Sequence, residues 1–324
     1  MPSDFRSWED SGLPPDSPGT VCTVGTFDGV HRGHQSVLTR IAQRAERSGL
    51  HSVLVTFDPH PLEIVRPEHA PPLLTIGHEK LEVVAQSGIN YMAIVPFTET
   101  LRRFTAAQFV DDVLLRRFHV RELVIGYDHH FGRGREGSAD VMRELGARRG
   151  FGVEVLGPVT AGDPAPVSSS RIRRAIVDGD LDAAAAMLGR PYSASGTVRE
   201  GDRRGRLLGF PTINLGSPPT RKLLPPNGVY AVRVQSSAGT FGGMMNLGGR
   251  PTFGDESVSL EVHLFDAEVD LYGRYVSIEF VRFLRATRRF EGAESLVAQL
   301  HRDAEAAKVA LTPHGEISNL QVSP

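Results

Sequence analysis

The chain has 324 residues, with 36 basic and 38 acidic side chains and one cysteine. That length fits two domains better than one, and the near balance of charge gives no reason to expect a nucleic acid or an anionic membrane as partner. A lone cysteine excludes a disulfide scaffold. No apolar run reaches about 18 residues and no basic-then-apolar leader opens the chain, so a cytoplasmic protein is expected.

The first half alternates two periods. "VCTVG", residues 21–25, reads as a buried strand, with Cys22 a buried thiol. A helix from about His34 to Ser48 carries Val37, Leu38 and Ile41 on one stripe. "HSVLVTF" is a second strand, stopped by Pro59 and Pro61. A helix over Gly77–Gln86, a strand over Tyr91–Val95, a helix over Thr105–Arg116, a strand over Glu122–Ile125 and a helix over Ser138–Arg149 continue the rhythm up to "VEVLGPV". Strands separated by helices predict a parallel α/β sheet covered on both faces, with ligands collecting at the carboxyl ends of its strands. "LDAAAAMLG", Leu181–Gly189, reads as a short helix closing this domain.

After "GRPYS" the pattern turns all-β. Short segments over Ala194–Glu200, Val229–Gln235, Thr240–Asn246, Val258–Phe265 and Tyr275–Phe283 are rich in β-branched residues and separated by turns, which predicts an antiparallel barrel or sandwich. A final amphipathic helix is expected from Gly292 to Val309, striped with Leu296, Val297 and Leu300.

The unusual residues of the first half cluster at strand ends. In "GTFDGVHRGH", His31 and His34 stand between a strand and a helix, and Gly29 and Gly33 permit a tight turn whose N–H groups approach a ligand. The next helix aims its unsatisfied N–H groups there, which suits phosphate oxygens. Two rivals stand beside that reading. One is ordinary turn chemistry; the other is a zinc site completed by His60, His129 or His130, although no compact third ligand is evident. "SSSRIR" offers Arg173 as a fork of donors, or simply a capped helix with exposed arginines.

In the second half, Thr212 and Asn214 of "GFPTINL" share a face if that piece is extended, where their neutral oxygens suit magnesium; turn capping is the alternative. In "SLEVHLFD", Val258, Leu260, Val262 and Leu264 alternate with Glu261, His263 and Phe265. Glu261 then either accepts a proton from an attacking alcohol or merely faces solvent.

These motifs together resemble the bacterial bifunctional riboflavin kinase/FMN adenylyltransferase family. "GTFDGVHRGH", "TFDPHP", "IGYDHHFGRGREG" and "VSSSRIR" match its HxGH nucleotidyltransferase module; "GFPTINL", "NGVYAV", "NLGGRPTF" and "EVHLFD" match its kinase module. The resemblance implies a Rossmann-like adenylyltransferase domain over 18–187 and a six-stranded antiparallel β-barrel kinase domain with a C-terminal helix over 188–310. Riboflavin is phosphorylated to FMN and FMN is adenylylated to FAD, with ATP as co-substrate and Mg2+ as cofactor. It assigns Gly25, Phe27, Asp28, His31, Gly33 and His34 to the ATP site, and Ser168, Ser169 and Arg173 to a second phosphate-binding element. Thr212 and Asn214 would hold the Mg-nucleotide and Glu261 would be the general base. Gly201, Gly205 and Gly209 would form the nucleotide-side loop, with Arg285 and Phe290 near the flavin. Flavin and ATP are the expected partners, with no nucleic acid and no membrane, and a weak homo-oligomer is compatible. The alternatives are a nucleotide-binding regulatory protein without turnover and an adenylyltransferase with an inactive barrel.

Overall fold

The computed structural model describes residues 13–312 apart from 15, 129–131, 163, 202–203, 217–220, 250–257 and 268. His129 and His130, and Arg250–Phe253 of "NLGGRPTF", therefore lie outside the described residues. The chain divides into two compact units between Arg171 and Ile172.

The first unit opens with β1 (Thr20–Val24), α1 (Arg32–Ser48), β2 (His51–Asp58), α2 (Gly77–Ala85), β3 (Tyr91–Pro96), β4 (Val120–Gly126), α3 (Ala139–Arg149) and β5 (Gly152–Leu156). The strands form a parallel sheet in the order β3-β2-β1-β4-β5. Strand alternation sends side chains to two cores. Cys22, Val24, Val53 and Val55 join one, while Val21 and Leu54 join the other with Val37, Leu38 and Ile41 of α1. The Thr20 hydroxyl donates to the Phe118 carbonyl at 2.7 Å and lies 2.9 Å from Cys22 Sγ. Burial pushes that thiol up to about 12, so it stays protonated and inert. The expected helix over Thr105–Arg116 is one helical turn, Ala106–Gln108, that widens into a π-helical stretch over Phe109–Leu115.

α4 (Ser169–Val177) spans the division, and α5 (Leu181–Leu188) follows. α5 packs on strands of the second unit, with Leu181, Ala184, Met187 and Leu188 buried. The second unit is a closed barrel of β6 (Tyr192–Arg199), β7 (Ile213–Leu215), β8 (Gly228–Ser236), β9 (Gly239–Gly249), β10 (Val258–Leu264) and β11 (Tyr275–Arg285), in the order β10-β7-β6-β11-β8-β9. Its sixth strand, β7, is the three-residue "INL" of "GFPTINL". α6 (Ala293–Leu311) lies against the outside of β8, β9 and β11.

Cross-strand register shows which residues fill the barrel. Leu260 pairs with Leu215 and Leu247, and Val262 with Ile213 and Met245. All but Ile213 are buried, and together they form the aliphatic interior. The intervening residues face outward, where Met244 and Ala231 meet Ala304 and Ala307 of α6. The expected stripe of α6 is borne out in part: Val297 and Leu300 pack against the cluster of Met244, Ala231, Ala304 and Ala307. Leu296, Val297 and Leu300 are only partly covered, while Gln299, Asp303, Ala304 and Ala307 are buried.

Candidate active sites

The strand order reverses between β1 and β4, the place where open α/β sheets bind ligands. A cavity of about 950 Å³ lies there, lined by the loops after β1, β2, β3 and β4 and by the start of α4. The loop after β1 is tightly wound: Phe27, Gly29 and Val30 all have positive φ, at 45°, 83° and 41°. For Phe and the β-branched Val this is a strained conformation, of the kind concentrated at functional sites. Gly33 sits inside α1, where a Cβ would press on the His31 ring at 3.2 Å. His31 caps α1, its Nδ1 accepting from the His34 amide at 3.3 Å. The two imidazoles stack at 3.7 Å, and Phe27 lies 4.5 Å from His34.

His34 lines the cavity, yet its Nδ1 is buried without a hydrogen-bond partner among the described residues. A buried polar atom left unmatched marks a place for a ligand or water. Burial holds the His34 imidazole well below its ordinary 6.5, and repulsion from His31 and Lys80 adds to this. The sign for stability follows. Below 6.5 the unfolded chain takes up a proton that the folded state refuses, so stability falls as pH falls through that window. Urea titrations between pH 7 and 5 should show a smaller acid loss for His34→Gln than for wild type, the difference approaching at most about 1.4 kcal/mol per pH unit. Equal slopes would mean that the ring titrates normally.

Gly25, Phe27, His31, Gly33, His34, Ser168 and Ser169 all line this cavity. Asp28 does not: its buried carboxylate accepts from the Leu74 and Thr75 amides at 2.9–3.1 Å, which makes it a fastener of the loop. Ser168 accepts from the Arg171 amide at 3.3 Å, the contact of an N-cap, and Ser169 donates to the Asp28 carbonyl at 2.9 Å. The lining ends at Ser170, and Arg173 falls in the second unit, one turn along α4. Sequence reading missed the aromatic wall of Phe57, Phe97, Phe104 and Phe109; the signal for Phe57 and Phe97 is an aromatic residue at or just past the ends of β2 and β3. His60 also lines the cavity while its Nδ1 caps the turn at Leu62. Among the described residues no three His, Cys, Asp or Glu side chains are grouped to hold a metal, so the zinc reading finds no support there.

In the second unit, Glu261 lies directly opposite Asn214 on one side and Asn246 on the other. This row is on the outer wall of the barrel, because Leu260 and Val262 point in. Ser259 donates to Glu261 Oε1 at 2.9 Å, and Oε2 has no hydrogen-bond partner among the described residues. Asn214 is 6% exposed, and its side-chain amide has no hydrogen-bond partner among the described residues. Thr212 stands two residues before it, on a segment that His263 holds through the Pro211 carbonyl at 2.8 Å and through Phe210 at 5.1 Å.

Gly201 is required by contact: a Cβ there would overlap the Asn214 amide. Gly201→Ala should therefore displace Asn214 and lower kcat/KM for phosphorylation about tenfold, inside the 10²-fold range of a 1 Å misplacement. Steady-state rates with the Mg-nucleotide varied would show no change if Asn214 has no part in the reaction. Gly205 lies in a helical turn, Arg204–Leu207, where a Cβ would overlap the Phe210 carbonyl; Gly209 has φ 80° and open space around it. Arg285 is committed to Asp303, with Nε at 2.9 Å and Nη2 at 2.6 Å, and Phe290 lies 5.7 Å from its guanidinium.

The FAD synthetase family model matches residues 13–171 and the riboflavin kinase model residues 188–311. A bifunctional riboflavin kinase/FMN adenylyltransferase of Pseudomonas fluorescens is 38% identical over 93% of this chain and 96% of its own length. The chain belongs to the bifunctional riboflavin kinase/FMN adenylyltransferase family. The Escherichia coli K12 member of that family is 37% identical over 90% of this chain and 92% of its own. A solved Streptococcus pneumoniae structure, described as a macrolide-efflux protein, is 28% identical and covers 94% of this chain and 98% of its own at a TM-score of 0.82. Among the described residues no helix here is long and apolar enough to cross a membrane.

Proposed function

We propose that the chain phosphorylates riboflavin to FMN in its second unit and adenylylates FMN to FAD in its first, with ATP as donor in both steps. Use of ATP as donor fits a cytoplasmic protein. The observation that carries this reading is the cross-strand pairing of Glu261, one carboxylate oxygen unengaged among the described residues, with Asn214, whose amide makes no hydrogen bond among them.

For phosphorylation, Glu261 Oε2 accepts the proton of the primary ribityl hydroxyl as that oxygen attacks the γ-phosphorus and ADP leaves. Ser259 holds the carboxylate so that the other oxygen points to its task. The Thr212 hydroxyl and the Asn214 carbonyl are hard, neutral oxygens, and they are the residues that would hold Mg2+, with nucleotide oxygens and water as the remaining ligands. Bound there, the ion would neutralise phosphate charge.

For adenylylation, the FMN phosphate is already a nucleophile, so the protein chiefly aligns it with the α-phosphorus and steadies departing pyrophosphate. The aromatic wall suits a flat flavin ring. The N-terminus of α1, His31 and neutral His34 would meet nucleotide phosphate, His34 supplying one N–H donor. Ser168 and Ser169 border the same space, and Arg173 would bring a guanidinium to the phosphate chain.

The full chain incubated with riboflavin, ATP and Mg2+ should yield FMN first and then FAD on chromatographic separation of the flavins. Binding of both substrates without either product would overturn the reading in favour of a regulatory protein. FAD from supplied FMN without phosphorylation of riboflavin would leave only the first activity.

A further inference from the structure

The outer row of the barrel holds a residue with no part in the roles above. Asn246 lies opposite Glu261 in the β9–β10 ladder, as Asn214 does on the other flank. Directly opposed side chains stand about 4.5–5.5 Å apart at Cβ and share a face. Asn214 is buried, whereas Asn246 is exposed, so the carboxylate has a closed side and an open side. The Asn246 amide makes no hydrogen bond among the described residues. Asparagine is also a poor strand former, and "MMNLG" places it in the interior of an eleven-residue strand. A residue kept there for the ladder alone would be β-branched or aromatic.

The neighbouring position on the same face carries no side chain. Gly248 follows Asn246 by two residues and pairs with Ser259, the residue that holds Glu261. A Cβ at Gly248 would find nothing nearer than Asn246 Nδ2 and Thr287 Cγ2, both at 3.9 Å. Asn246, Gly248, Ser259 and Glu261 thus share one face beside Thr287, with Gly248 and Ser259 buried and the carboxylate and the Asn246 amide next to each other. An amide offers both a donor and an acceptor, the complement of an aliphatic hydroxyl, and it does so without placing a charge against Glu261.

We propose that Asn246 is a specificity-determining residue for phosphorylation, its amide hydrogen-bonding the secondary hydroxyl next to the primary hydroxyl that Glu261 deprotonates. The site then reads a polyol chain in place of a lone alcohol. This rests on the phosphorylation reading above and adds the group that selects the acceptor.

The test uses the full chain and two acceptors: riboflavin, and the same ring system carrying a 5-hydroxypentyl chain, which keeps the terminal alcohol and lacks the secondary hydroxyls. Wild type should favour riboflavin. Asn246→Ala should lower kcat/KM for riboflavin about tenfold and leave the hydroxypentyl flavin nearly unchanged, collapsing the preference by the same factor. Asn246→Val, which favours the strand, should behave alike and removes misfolding as an explanation. Preserved preference in both variants, or an equal loss on both acceptors, would overturn the proposal. Failure of wild type to phosphorylate riboflavin at all would instead strike the reading on which it rests.

Discussion

Replacing Glu261 with alanine should lower riboflavin phosphorylation by about 10²–10⁴-fold, the usual worth of a positioned general base. FAD formation from supplied FMN should stay within about twofold, because that reaction is assigned to the other unit and shares no residue with Glu261. The motive is geometric. One oxygen of the carboxylate is held by Ser259, the other has no hydrogen-bond partner among the described residues, and the two flanking positions in the ladder are amides that add no competing charge. Glu261→Gln keeps the shape and the Ser259 contact but cannot take a proton, so it should be nearly as slow as the alanine variant. Phosphorylation by Glu261→Gln at the wild-type rate would remove Glu261 from the reaction.

His31 should show the converse pattern, with FAD formation falling by about 10²–10³-fold, the cost of losing one well-placed donor to developing phosphate charge. The alanine variant alone is ambiguous, because His31 also caps α1 and removing a cap costs about 1 kcal/mol. His31→Asn separates the two effects: asparagine is among the best capping residues, yet it brings no imidazole to the phosphate. Thermal unfolding should therefore place His31→Asn near wild type and His31→Ala below it, while both lose adenylylation. If the asparagine variant recovers both stability and FAD synthesis, the ring is a cap and nothing more.

Much of this architecture was legible in the sequence because periodicity is a direct imprint of geometry. Val37, Leu38 and Ile41 mark the buried face of α1, and the β-branched segments after residue 190 mark the barrel staves. What stayed hidden depends on closure and on long-range pairing. Alternation along "SLEVHLF" separates Glu261 from Leu260 and Val262, but a period of two does not say which face becomes the interior; Leu215 and Leu247 decide that. β7 has three residues, too few to show a pattern. Asp28 sits within a phosphate-binding motif, yet its carboxylate is engaged by amides at positions 74 and 75. α6 buries Gln299 and Asp303 because Arg285 and Arg288 reach across to them, a network that no hydrophobic stripe foretells. The Gly-rich β1–α1 loop predicted a tight turn, but the positive φ of Phe27 and Val30 is a tertiary constraint that residue type argues against.

The barrel is solid within and reactive without, so adjacent residues of one strand answer to different demands. Leu260 and Val262 contribute cohesion and should accept other aliphatic residues of similar volume with little change in turnover. Glu261, between them, contributes no cohesion and admits no substitute. Tolerance read residue by residue along β10 would thus rise and fall every second position, a signature by which chemistry carried on the skin of a closed sheet can be told from chemistry lodged in its lumen.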